Sequence, residues 1–99
     1  MMTRFFEWDA KKAQTNLRKH NISFEEAALV FDDPLAISVQ DRIENGEYRW
    51  KTIGIIGNFV LLVVAHTVID HKNNTEVIRI ISARRADKKE KRRYEHCKI

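Results

Sequence analysis

Between Gly57-Asn58 and the polar stretch at residues 70–75 lies the most apolar run of the chain, Phe59-Val60-Leu61-Leu62-Val63-Val64-Ala65-His66-Thr67. It is far shorter than the roughly 18 residues that cross a bilayer as a helix, and its valines favour an extended backbone. A strand that is apolar on both sides must be covered on both faces. The run therefore predicts a central strand between two layers. With 99 residues the chain has room for one such core, a single domain over residues 1–99. A chain of that size buries only about 60–65% of its unfolded surface and is marginally stable unless a partner adds to it.

The flanking segments complete a sheet. Residues 48–56 alternate in polarity behind Asn45-Gly46, a strong hairpin signal. Residues 76–83 carry Val77, Ile78, Ile80 and Ile81, and residues 35–39 are short and β-prone. Short loops make these strands antiparallel neighbours, and residues 4–7 offer a further edge strand. Ahead of them, Asp9 predicts a helix N-cap, with Trp8 packing on Ala13 as a hydrophobic staple. Ala10, Ala13 and Leu17 form its inward face, and Asn21 tolerates the left-handed conformation that ends it. Ser23 and Glu26 form a capping box for a second helix, whose stripe is Phe24, Ala27, Ala28 and Phe31 and whose stop is Asp32-Asp33-Pro34. Asp87 and Glu90 repeat the capping box before a last helix reaching about residue 98. That helix has only Tyr94 and Cys97 to bury, so it is mobile or is held by something other than apolar contact. The expected fold is α+β: two N-terminal helices, an antiparallel β-meander sheet and a C-terminal basic helix.

Charge is unevenly spread. Residues 84–99 hold eight cations against three acids, while residues 1–83 hold ten against eleven. A near-neutral body with a basic tail points to a polyanion or an acidic partner; a solvated charged helix is the plainer alternative. Many enzyme classes drop out. The glycines stand apart at 46, 54 and 57, so there is no phosphate loop, and neither H-E-x-x-H nor G-x-S-x-G occurs. The one cysteine, Cys97, closes no intrachain disulfide, and no Cys/His cluster has zinc spacing. No metal or cofactor is expected, and the lack of a signal-peptide or membrane segment gives a cytoplasmic expectation. Asp32-Asp33 reads as a helix end before proline rather than a metal pair.

The remaining signal is cationic. Arg79 sits inside a β-branched strand, where a charge is costly unless it is paired or faces an open groove. Arg84 lies two residues beyond Ser82, Arg49 opens the strand after the turn, and His66 closes the apolar run. Arginine forks bind phosphate bidentately and histidine exchanges protons near neutral pH. The set therefore suits a phosphodiester. Each member also has a structural reading: His66 as a satisfied buried residue, Arg79 paired with Glu76 or Glu47, and Lys19-His20 complementing a helix dipole.

Phe6-Glu7-Trp8-Asp9, Lys12, Asn16-Leu17-Arg18-Lys19-His20, Ile22-Ser23-Phe24-Glu25-Glu26-Ala27 and Phe31-Asp32-Asp33-Pro34 follow one another in order. Arg49-Trp50, Ile53-Gly54, Ile78-Arg79-Ile80-Ile81-Ser82-Ala83-Arg84-Arg85-Ala86, Glu90 and Tyr94 complete the series. Over nearly the whole chain this resembles the BrnT toxins. The resemblance implies a RelE-like fold and a ribonuclease of a type II toxin–antitoxin pair that cleaves RNA and arrests translation. It also implies neutralisation by a ribbon-helix-helix antitoxin, BrnA, with operator DNA contacted through the antitoxin complex. A metal-independent ribonuclease drives the 2′-OH onto phosphorus and needs a base, an acid and cations on the developing charge. In that scheme Arg79 and Arg84 hold the phosphate, Arg49 clamps it, and His66 carries the proton, with Tyr94, Lys19 or His20 as alternates. His71 is either participant or bystander. Lys19, His20, Arg85, Lys88, Lys89 and Arg92 add phosphate attraction. The competing reading is a noncatalytic nucleic-acid-binding or partner-binding module.

Overall fold

The structure, a computed structural model, describes residues 3–57, 59–71 and 73–96, with 70 and 71 described by backbone alone. The elements run β1 (Thr3–Trp8), α1 (Ala10–His20), α2 (Phe24–Ala28), a 3₁₀ turn (Leu29–Asp32), β2 (Ile37–Glu44), β3 (Glu47–Ile56), β4 (Val60–His71), β5 (Thr75–Arg85) and α3 (Lys88–His96). Among the described residues the strands form one mixed sheet in the order β1-β5-β4-β3-β2. The α+β class holds. The apolar run is the central strand β4, antiparallel to β3 and β5. The N-terminal edge strand also forms, but it pairs parallel with β5, from Thr3 opposite Thr75 to Trp8 opposite Ile80.

Local chemistry accounts for the element ends. Asp9 accepts the amide N–H groups of Lys11 and Lys12, and Asn21 ends α1 at φ 57°. Both halves of the Ser23–Glu26 capping box are made. Asn45 and Gly46 take φ of 52° and 78°, as a two-residue hairpin turn requires, and β2 extends to Glu44 as a result. The β4–β5 connection is tighter than the sequence implied, because the strands continue to His71 and resume at Thr75. The turn residue Asn58 lies outside the described residues.

The back of the sheet is covered by α1, α2 and the 3₁₀ turn. Phe24, Ala27 and Val30 pack there on Leu62, Val64, Ile78, Ile80 and Ala83. A Cβ on Gly54 would sit 2.8 Å from Val30 Cγ1, so only glycine lets the 3₁₀ turn approach β3 so closely. The inward face of α1 differs from expectation: Leu17 is 48% exposed and Asn16 is buried. The reason is polar. Beyond Trp8 the outer edge of β5 has no partner strand among the described residues, and Asn16 Oδ1 accepts the Ala83 N–H at 3.0 Å while its Nδ2 donates to the Ile22 carbonyl at 3.0 Å. Trp8 meets Phe24 edge-on at 5.9 Å.

The front of the sheet carries α3, with Tyr94 packed among Ile53, Leu61 and Val63. Polar fastenings supplement this thin contact. Glu90 receives both terminal nitrogens of Arg84 at 2.8 Å, and the Tyr94 hydroxyl donates to Asp33 Oδ2 at 2.6 Å. Asp33 thus does more than end a helix, since it also accepts the N–H groups of Leu35 and Ile55. Cys97 and Lys98 lie outside the described residues. No described helix is long and apolar enough to cross a membrane.

Candidate nucleic-acid interface

Directly opposed residues of an antiparallel ladder share a face, so register sorts the candidate residues. Arg79 opposes Thr67, Arg84 opposes Val63, and Lys51 opposes Ala65. All three project from the front, as does Arg49, one residue before the back-facing Trp50. In a regular strand the odd spacing of Arg79 and Arg84 would send them to opposite faces. The register slips between Ala65, which opposes Ser82, and His66, which opposes Ile80, leaving Ile81 as an extra residue. That bulge returns both arginines to the front. Between them lie short side chains, Ala65, Thr67 and Ser82.

Each of these cations meets a carboxylate. Arg79 Nη1 donates to Glu7 at 2.8 Å, Arg49 lies 3.4 Å from Glu44, and Lys51 lies 3.8 Å from Asp41. Arg79 therefore pairs across to β1 rather than with Glu76 or Glu47, and Glu76 pairs with Arg4 instead. The Arg79 and Lys51 pairs are of the solvated kind that contributes only about 0–1 kcal/mol, so a phosphate can exchange with the carboxylate, whereas Arg49 is more enclosed, its side chain 17% exposed. The Arg84–Glu90 pair is different. It is bidentate, Glu90 also accepts the Asp87 N–H, and the hydrogen bonds from Arg84 hold the Glu90 carboxyl down at about 2 against the opposing effect of burial. Two buried polar atoms on this face have no hydrogen-bond partner among the described residues, Arg49 Nε and Thr67 Oγ1.

The cationic surface continues around the unpaired edge of β5. Lys19 and His20, with Lys11 and Lys12, line a groove of about 340 Å³ that reaches Ser82. Lys88, Lys89 and Arg92 stand exposed on α3. Arg85 opposes Leu62 and so belongs to the back.

His66 and Tyr94 do not join the arginines. His66 opposes Trp50 and Ile80, which places it on the back face, 2% exposed. Its Nε2 lies 2.7 Å from Thr52 Oγ1, which lies 2.7 Å from Ser38 Oγ, and Phe31 meets the ring edge-on at 4.9 Å. Burial lowers its pKa from 6.5 to about 4; the Thr67 backbone works against that and the charge of Arg4 adds to it. Tyr94 is buried with its hydroxyl donated to Asp33, and its pKa is pushed up to about 12 by burial first and that bond second. The expected single groove of histidine and arginines is therefore two separate places. The side chain of His71 lies outside the described residues.

Lys51, Lys11 and Lys12 were missed from sequence, although signals for them existed. Lys51 is two residues from Arg49 and must share its face, and Lys12 and Lys19 are one heptad apart on a helix.

The family model of the ribonuclease toxin, BrnT, of type II toxin–antitoxin systems matches residues 8–90. The chain belongs to the BrnT toxin family. The solved structures include a similar one, the crystal structure of the Brucella abortus ribonuclease toxin, BrnT, which is 20% identical. The match covers 88% of this chain and 100% of that one, with a TM-score of 0.64. At that identity the likeness concerns fold. No curated protein sequence matches. Membership makes this a toxin of a type II system, a family of ribonucleases with antitoxin partners.

Proposed function

We propose that this BrnT-family toxin cleaves RNA without a metal, using the front-face cations. The observation that carries this reading is the placement of Arg49, Lys51, Arg79 and Arg84 on one face of β3 and β5, with short side chains between them. The 2′-oxygen attacks phosphorus, the bond from phosphorus to the 5′-oxygen breaks, and a 2′,3′-cyclic phosphate and a 5′-hydroxyl result. Arg79 and Arg49 exchange their carboxylates for the phosphate and neutralise the developing phosphorane charge. Arg84, clasped by Glu90, is a positioning residue that fixes α3 beside them. Guanidinium groups stay protonated, so the Lys51 ammonium is the proton source on this face for the leaving oxygen; the 2′-OH proton passes to solvent. His66 and Tyr94 take no part. The RNA then runs past Ser82 toward Lys19 and His20, with Lys88, Lys89 and Arg92 adding nonspecific attraction.

The same reading makes the fold RelE-like and the consequence in a cell an arrest of translation in the cytoplasm. It assigns neutralisation to a BrnA-like ribbon-helix-helix antitoxin that covers the arginine face or α3 and alone brings operator DNA to the complex. The test is labelled RNA incubated with the protein in EDTA. Cyclic-phosphate ends, lost in Arg79→Ala and Lys51→Ala, are expected. RNA that is bound but left intact supports the noncatalytic binding module instead. Induced expression should arrest growth, and co-expression of a neighbouring ribbon-helix-helix protein should relieve it.

A further inference from the structure

The back face holds a second feature, away from the cations. Beyond the 3₁₀ turn, where β3 leaves the Asn45-Gly46 hairpin, lies an open cleft of about 660 Å³, within the roughly 300–1,000 Å³ of small-molecule sites. Its walls are aromatic: Phe31, Tyr48 and Trp50, with His66 among the lining groups and Ser38 at its side. The Phe31 ring is held by Phe6 at 5.4 Å, by His66 at 4.9 Å and by the Arg4 guanidinium at 5.7 Å. Tyr48 keeps 55% of its surface in water, so its ring is open to a ligand.

The charge of the lining narrows the choice of ligand. Its charged members are Arg4, Glu47 and Glu76. Arg4 is already committed, to Glu76 at 3.1 Å and to the Phe31 carbonyl at 3.1 Å. With two carboxylates and no free cation, the cleft disfavours a phosphate. What it offers is flat ring surface with a hydroxyl and an imidazole nearby, which matches a neutral planar ring with hydrogen-bonding edges. Of these groups His66 Nδ1 has no hydrogen-bond partner among the described residues, and an aliphatic protein side chain would leave it unmatched.

We propose that this cleft binds an unpaired nucleobase, stacked against Tyr48 and Trp50. The base comes from single-stranded RNA or from a free nucleoside, two sources with the same ring chemistry. The proposal requires base binding and no cleavage, so it stands or falls apart from the nuclease reading.

Trp8 and Trp50 are the two tryptophans of the chain, so Trp8→Phe leaves Trp50 as the sole reporter. This variant is titrated with the four nucleosides, with a single-stranded oligoribonucleotide and with a duplex of the same sequence. Saturable quenching by at least one nucleoside and by the single strand, but not by the duplex, is expected. Tighter quenching by the single strand than by the nucleoside identifies RNA as the source, and the reverse identifies the free nucleoside. Tyr48→Ala, at an exposed position that does not threaten folding, should weaken either by about five-fold or more with unchanged thermal melting. The proposal is overturned if millimolar nucleosides and the single strand leave Trp50 unchanged. It is equally overturned if Arg79→Ala abolishes the RNA response while Tyr48→Ala leaves it intact, or if only an antitoxin peptide shifts Trp50. RNA cleavage in EDTA by the wild-type chain is unaffected by any of these failures.

Discussion

On the back of the sheet His66 is buried and neutral, joined through Thr52 to Ser38. On the front, Arg79 keeps 45% of its side chain exposed beside a carboxylate. The same two strands thus supply a polar group that is locked in place and one that is free to change partner. Removing a buried group from water makes its hydrogen bonds expensive to break. A solvated ion pair, by contrast, is close to neutral in energy and easily exchanged. On the proposed function, reactivity toward a polyanion belongs to the front, whereas acid acts on both faces, through His66 on the back and through the Glu90 clasp on the front.

The largest expected effect tests that division directly. Arg79→Ala should lower RNA cleavage by about 10²–10³-fold while leaving the melting temperature nearly unchanged. If His66→Phe, at intact fold, costs as much activity, the division fails. Next in size is Asn16→Ala, which strips the Ala83 N–H and the Ile22 carbonyl of their partner. Urea unfolding should show a loss of about 2–4 kcal/mol, since each unmatched buried group costs about 1–3 kcal/mol.

Acid titration sharpens the same contrast. His66 has a folded pKa of about 4 against 6.5 when unfolded, so the unfolded chain binds the extra proton between those values. Its stabilisation is complete above pH 6.5 and is lost as pH falls toward 4, by at most about 1.4 kcal/mol per pH unit. Glu90, with a folded pKa of about 2 against 4.5, acts in a lower window, holding above 4.5 and fading toward 2. His66→Phe should remove the upper window and Glu90→Gln the lower one in unfolding measured from pH 7 to 2. The smallest effect is Glu7→Gln: stability within about 1 kcal/mol of wild type, with RNA affinity raised because Arg79 no longer has a competing carboxylate.

The sequence made the caps, the hairpin turn and the central strand legible, because each rests on chemistry between near neighbours. Asp9, Ser23, Glu26, Asn45, Gly46, Asp87 and Glu90 all act within four residues. The front-face site was half legible. Its arginines were singled out, but the bulge at Ile81 that aligns them leaves no composition signal. The partner of Arg79 lies 72 residues away on a parallel strand, beyond any local rule. His66 was misgrouped because an apolar strand ending in histidine reads identically whichever side the ring takes. Asn16 and Leu17 exchanged roles because helical periodicity counts greasy residues and cannot see a strand edge in need of an acceptor.

The fastening of α3 sets how the molecule comes apart. A bidentate guanidinium clasp and one phenol hydroxyl tether this segment, with little oil beneath it. It should therefore peel away as a unit in strong brine while the layer of side chains behind β4 stays closed, and amide exchange should register 88–96 opening well before residues 60–66.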